Sequence, residues 1–258
     1  MIWGVLAGLC VAIQSLAWAY VPPSEFIVKN IAAKHTGLRT IKITQKISQL
    51  DPSLQVTTQV KEVLRLDFRT ETAQSVIMDA QGQAVHLREG VPIPGLWKLV
   101  FSPNPATIAS VLMQSGVPIQ TEAELLKLPT EAERRAAENE SIVRLRGHTA
   151  WLLGAEKSQG KLWIEKDVFL PFQWGRIKDG DWCESQFDLY ASQKGFPYPR
   201  QIEILQRNNP EDRVDLGIRL ELTEIVANFE SREKTPVVAP DMSDAVKKLL
   251  ENYYRLIQ

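Results

Sequence analysis

The stretch Val56-Thr57-Thr58-Gln59-Val60-Lys61-Glu62-Val63-Leu64-Arg65-Leu66-Asp67-Phe68-Arg69 decides how this chain is read. Val56, Val60, Leu64, Leu66 and Phe68 share one parity, while Gln55, Gln59, Lys61, Arg65 and Arg69 take the other. Strand side chains alternate between faces, so the pattern predicts one dry and one wet face. The run of about 15 residues exceeds the usual strand length, which suits a curved sheet or an open barrel. Just upstream, Ile41, Ile43 and Ile47 alternate with Lys42, Thr44 and Lys46 in the same manner.

Upstream, Pro22 to Gly37 reads as a first helix, with Ser24 as its cap, His35 in its last turn and Gly37 as its stop. Downstream, Ser75–Ala80 and Gln83–Glu89 form a hairpin around Gln81-Gly82, with His86 and Arg88 opposite Val85 and Leu87 and His86 facing water. A helical insert follows over about 103–140. It carries the stripe Ile108, Val111, Leu112 and Met113, and capping boxes at Thr121–Glu124 and Thr130–Glu133. Ser141 to Phe229 holds at least five more strand-like runs, among them a hairpin around Leu170-Pro171-Phe172. In the last run Val214, Leu216, Ile218, Leu220 and Leu222 share one face. Residues 230–242 read as a linker. Residues 243–258 form an amphipathic helix with Ala245, Val246, Leu249, Leu250, Tyr253, Tyr254 and Ile257 on one stripe. The order describes an α+β domain over 20–229 with a tail.

The 258 residues carry 30 Lys and Arg against 31 Asp and Glu, a net charge of −1. That balance argues against a nucleic-acid partner, whose phosphates demand a basic excess. No charged residue precedes Glu25. The apolar run of residues 1–19 ends in Ala17-Trp18-Ala19, which fits a signal peptide cleaved before Tyr20. A retained membrane anchor is the alternative, because no Lys or Arg precedes the run. After cleavage only Cys183 remains, which excludes an internal disulfide.

Chemistry-bearing motifs are missing. The sequence has no glycine-rich phosphate loop, no Gly-x-Ser-x-Gly elbow and no His-Glu-x-x-His pair. His35, His86 and His148 are scattered without Cys neighbours, so neither a metal nor a cofactor is expected. Asp179-Gly180-Asp181 reads as a hairpin turn before it reads as a carboxylate pair. An enzyme is not the expectation.

Three segments resemble the LolA-like periplasmic lipoprotein carriers and the wider lipoprotein-sorting superfamily. Ile43-Thr44-Gln45-Lys46-Ile47 resembles their Thr-Gln-Lys strand. Asp79-Ala80-Gln81-Gly82-Gln83 resembles their Asp-Gly-Lys turn, and Leu162-Trp163-Ile164-Glu165-Lys166 through Leu170-Pro171 resembles their Trp-Ile-Asp-Lys and Leu-Pro hairpin. The resemblance implies an incomplete antiparallel β-barrel whose concave apolar face is covered by helices and shelters acyl chains. It implies a periplasmic monomer that takes an acylated lipoprotein or lipid from a membrane-bound donor and passes it to an acceptor protein. The candidate cavity residues are Ile43, Val60, Leu64, Leu66, Phe68, Met78, Leu112, Met113, Phe187, Leu189, Ile218 and Leu220. Such carriers control lid closure with an arginine near a Pro and a Phe on the second strand. Here Arg65 and Arg69 are the candidates, no Pro accompanies them, and Arg65 falls on the wet parity. The other reading on the same fold is an envelope sensor or scaffold domain that binds protein and carries no lipid.

Overall fold

The computed structural model describes residues 22–127, 130, 140–154, 158–230 and 242–258. Strands β1 (Thr40–Leu50), β2 (Val56–Asp67), β3 (Thr72–Met78) and β4 (Ala84–Pro92) form one meander. Strands β5 (Glu140–Leu145), β6 (His148–Leu153), β7 (Gly160–Glu165), β8 (Pro171–Lys178), β9 (Asp181–Gln193), β10 (Phe196–Arg207) and β11 (Leu216–Ala227) form a second. The meanders join where β1 pairs with β11, giving one antiparallel sheet ordered β4-β3-β2-β1-β11-β10-β9-β8-β7-β6-β5. Its two ends, β4 and β5, do not pair, so the sheet is an open, curved barrel. Among the described residues five helices complete the α+β fold: α1 (Ser24–Ala33), α2 (Gly95–Phe101), α3 (Pro105–Gln114), α4 (Glu122–Leu126) and α5 (Asp244–Ile257). Four of them, α1, α2, α3 and α5, pack on the core of the sheet and cover its concave face.

The parity of β1 and β2 predicts their register. Ile41, Ile43 and Ile47 stand opposite Leu66, Leu64 and Val60, and all six are buried. One core cluster unites them with Ile218 and Leu220 of β11, Ile202 and Ile204 of β10, and Phe187 of β9. The helices supply Ile27, Leu96, Trp97, Phe101, Leu112, Leu249 and Tyr253 to that same cluster. The Asp-Gly turn is as expected: Asp179 and Gly180 both have positive φ, 54° and 93°, and join β8 to β9. Thr121 and Glu124 form the expected capping box, with Thr121 Oγ1 accepting from the Glu124 amide and Glu124 Oε2 accepting from the Thr121 amide.

Several expectations change. Ser24 does not cap α1. It is buried, and its hydroxyl donates to the Gln120 carbonyl while accepting from the Gln120 amide, which ties α1 to the segment after α3. Pro23 takes the N-cap position instead. β2 runs 12 residues rather than about 15. The helical stretch begins at Gly95, because Pro94 in extended backbone opens α2 directly after β4. The hairpin between β7 and β8 turns at residues 166–170, with Phe169 at φ 54°, and not around Leu170-Pro171-Phe172. His86 and Arg88 pair with Ile77 and Ser75 on the inner parity of β3, so His86 does not face water as expected. The reason is α5, whose Tyr254 ring lies 4.1 Å beneath the Arg88 guanidinium and 6.0 Å from the His86 ring. The leader and most of the second capping box and of the linker lie outside the described residues.

Candidate functional site

The inner wall of the sheet is the candidate site, and the sequence builds it from alternation. Ile43, Val60, Leu64, Leu66, Leu112, Phe187, Ile218 and Leu220 all belong to the one buried core. Phe68 lies just past β2, half-buried against that core. Met78 is half-buried at the end of β3. Met113 and Leu189 are 55% and 66% exposed and stand outside the cluster. In α3, Ile108, Val111 and Leu112 turn inward and leave Met113 outside. Leu189 has φ 56°, a break in the β9 ladder that sets it outward. The face is occupied by the chain's own helices.

Alternation alone missed a polar constellation in this apolar wall. Glu62 lies between Val60 and Leu64 on the inner parity and is fully buried. Its cross-strand partner is Gln45, whose Nε2 donates to Glu62 Oε2 at 2.5 Å. Ser75 of β3 donates to Glu62 Oε1 at 2.5 Å. The third donor is the Tyr253 hydroxyl of α5, at 2.8 Å from Glu62 Oε2. That hydroxyl also accepts from Gln45 Nε2 at 3.1 Å, and the Tyr254 hydroxyl lies 3.1 Å from Ser75 Oγ. A β-bulge between Thr44 and Gln45, opposite β11, sits at the heart of this group. Bulges re-aim side chains in this way.

Two further groups hold the C-terminal end of α5. Arg176 of β8 is buried, stacks 3.8 Å over the Trp174 ring and donates to the Leu256 carbonyl. A cation at a helix C-terminus complements the dipole and an otherwise unpaired carbonyl. Burial pulls the Arg176 guanidinium down to about 10. Arg255 donates to Gln206 Oε1 at 2.6 Å and pairs with Asp179 at 3.5 Å.

The candidate lid arginines lie at the far end of β2. Arg65 donates to Gln74 Oε1 at 2.6 Å, and Arg69 clasps Asp67 through two nitrogens at 3.0 and 2.5 Å. With Thr40, Thr72 and Glu89 they line a shallow cavity of about 280 Å³. Among the described residues no group of three or more His, Cys, Asp and Glu is placed to hold a metal ion. Cys183 is buried beside Arg176, and burial raises its thiol.

Two buried titratable groups oppose each other in pH. Burial pushes Glu62 above its ordinary carboxylate value of 4.5, against the pull of Ser75, Gln45, Tyr253 and Arg88. Its contribution to stability is complete below 4.5 and is lost as pH rises through the folded-state value. His35, expected in the last turn of the first helix, lies two residues past α1 and is buried between the rings of Phe101 and Phe196. Its Nε2 donates to the Pro197 carbonyl at 2.9 Å, and burial lowers its pKa below 6.5. Its contribution is present above 6.5 and is lost as pH falls. Urea melts from pH 4 to 8 are expected to show the wild type losing stability with rising pH relative to Glu62→Gln. Relative to His35→Phe, the wild type gains stability over the same range.

No family model matches the sequence, and no curated protein matches it. Solved structures do. The chain is similar to an outer membrane lipoprotein-sorting protein domain from Vibrio parahaemolyticus, at 9% identity over 90% of this chain and 97% of that one, with a TM-score of 0.47. It is similar to a LolA superfamily protein from Nitrosomonas europaea, at 12% identity over 88% and 97%, with a TM-score of 0.48. A DUF1329 family protein from Desulfovibrio piger aligns at 8% identity over 80% and 94%, with a TM-score of 0.42. Among the described residues no helix is long and apolar enough to cross a membrane.

Proposed function

We propose that the protein is a lipid or lipoprotein carrier of the bacterial periplasm, binding acyl chains on the concave face of its open barrel. One observation carries this reading: an eleven-stranded sheet lines a single wall with Ile43, Val60, Leu64, Leu66, Phe187, Ile218 and Leu220, and helices, not strands, close it. A helix held by side chains can be lifted without breaking the ladder of a sheet. Each methylene then buried on the exposed wall contributes about 0.8 kcal/mol, so a long acyl chain binds without any catalytic group. The leader of residues 1–19 fits export, and the sequence resemblance fits delivery between a membrane-bound donor and an acceptor. Arg65 and Arg69 remain the candidates for control of the cover.

The experiment is extraction of the exported chain, purified without detergent, followed by mass spectrometry of the bound lipid and titration with a fluorescent acyl probe. Acylated molecules in the extract and saturable uptake of the probe are expected. Repeated absence of both sinks the carrier reading.

A second reading is favoured by a specific observation. The wall already holds an amphipathic helix, α5, through Leu249, Leu250, Tyr253, Leu256 and Ile257. A protein-binding sensor or scaffold on this fold would receive a partner's helix there. In that case a labelled helical peptide carrying the α5 stripe binds, while the acyl probe does not.

A further inference from the structure

The reading as a carrier leaves one feature of the wall unexplained. An acyl chain needs only apolar surface, yet the centre of the wall carries Gln45, Glu62 and Ser75, three polar side chains shut away from water. Burying such groups costs free energy unless each finds a partner. Two of the partners come from α5: the Tyr253 hydroxyl serves Glu62 and Gln45, and the Tyr254 hydroxyl meets Ser75. One acceptor goes unserved. Gln45 Oε1 is buried and has no hydrogen-bond partner. The site therefore has one acceptor to spare, and two of its hydroxyl partners come from α5.

Resting on the carrier reading, we infer that α5 is a stand-in for the cargo. Its tyrosine hydroxyls mark a subsite on Gln45, Glu62 and Ser75 that selects an acyl cargo bearing a hydroxyl or amide donor, and such cargo binds by displacing α5. The geometry supports both halves. The buried stripe of α5 covers the apolar wall as an acyl chain would, and its hydroxyls sit where a glycerol hydroxyl or an amide N–H would sit. Once Tyr253 departs, a cargo without a donor would leave Glu62 with only the bonds from Gln45 and Ser75, one donor short of its present set. A cargo with an anionic head would bring a carboxylate against Glu62. Both are disfavoured, for different reasons.

The test uses the full chain and three probes that share one acyl chain: monooleoylglycerol, methyl oleate and oleate. Each is titrated by intrinsic tryptophan fluorescence, and hydrogen exchange is followed across residues 244–257. Monooleoylglycerol is expected to bind about tenfold more tightly than methyl oleate, the equivalent of one buried hydrogen bond. Its binding is expected to speed exchange in α5 while leaving β1 and β2 protected. Tyr253→Phe weakens the stand-in and is expected to raise affinity for monooleoylglycerol several-fold. Ser75→Ala and Glu62→Gln are expected to narrow the preference over methyl oleate, and the former keeps the test intact if the latter folds poorly. Equal binding of all three probes with α5 protection unchanged overturns the inference and leaves the carrier reading standing. Binding of none of them, to the wild type or to Tyr253→Phe, overturns both.

Discussion

Replacing Tyr253 with alanine is expected to loosen α5 by about 4 kcal/mol, whereas phenylalanine at the same position costs about 1–3 kcal/mol. Tyr253 is fully buried among the largest side chains of the core. Truncation to alanine removes an aromatic ring from that packing and, with it, a hydroxyl donor to Glu62. Phenylalanine keeps the ring and removes only the hydroxyl, so the difference between the variants separates packing from hydrogen bonding. The readout is the free energy of opening from hydrogen exchange in residues 244–257, compared with that of β1 and β2. If Tyr253→Phe loses nothing while Tyr253→Ala loses the full amount, the hydroxyl contributes nothing and the polar constellation is only a neighbour of α5. The cost is expected to be local, because α5 is tied to the sheet by side chains and not by strand pairing.

How much of this was legible in the sequence depends on which periodicity carried the information. The period of two in β1 and β2 was strong enough to set register and inner face, and Ile43, Leu64 and Leu66 lie where that period puts them. The same rule held only in part at β4, where Val85 and Leu87 suggested the dry side: Val85 is buried in the core, but Leu87 is only half-buried. His86 and Arg88 turn inward because their neighbour there is Tyr254 on a helix some 170 residues further along, a contact that no local pattern encodes. Glu62 lies between these cases. A carboxylate flanked by Val60 and Leu64 on the dry parity is a visible break in the pattern, as is Gln45 between Ile43 and Ile47, and these two were the sequence signals of the polar constellation. The partner of Glu62 on α5 could not be read, since pairing Glu62 with Tyr253 spans 191 positions. The stripe of α5 was legible as amphipathic, but the surface that receives it was not. Ser24 failed in the opposite direction: the residue type suits a cap, and a tertiary bond to Gln120 outbid the local one.

The helical cover is held to the sheet at a second place, and there a single methyl group is expected to disrupt the fold. Gly160 opens β7 directly beneath the end of α3, and its amide donates to the Gly116 carbonyl at 3.2 Å. A Cβ on Gly160 would lie 2.1 Å from the Ser115 carbonyl oxygen and 3.0 Å from a Val117 methyl. The obstacle is backbone, so no rotamer relieves it. Gly116 faces the same crossing with φ +80°, and Trp174 of β8 donates to Ser115 Oγ at 3.2 Å, so the seam has no slack on either side. Gly160→Ala must push α3 off the sheet and is expected to cost about 3 kcal/mol or more. In a chain of this size that lowers the melting temperature by about 6–12 °C. Gly82→Ala is the comparison. Gly82 also has a positive φ, 81°, but nothing lies within 4 Å of its Cβ position, so only the backbone strain of about 1 kcal/mol remains. Thermal melts of the two variants therefore separate close approach from conformation. If they destabilise equally, α3 is not clamped at this seam, and the cover over the apolar wall yields as readily at α3 as at α5.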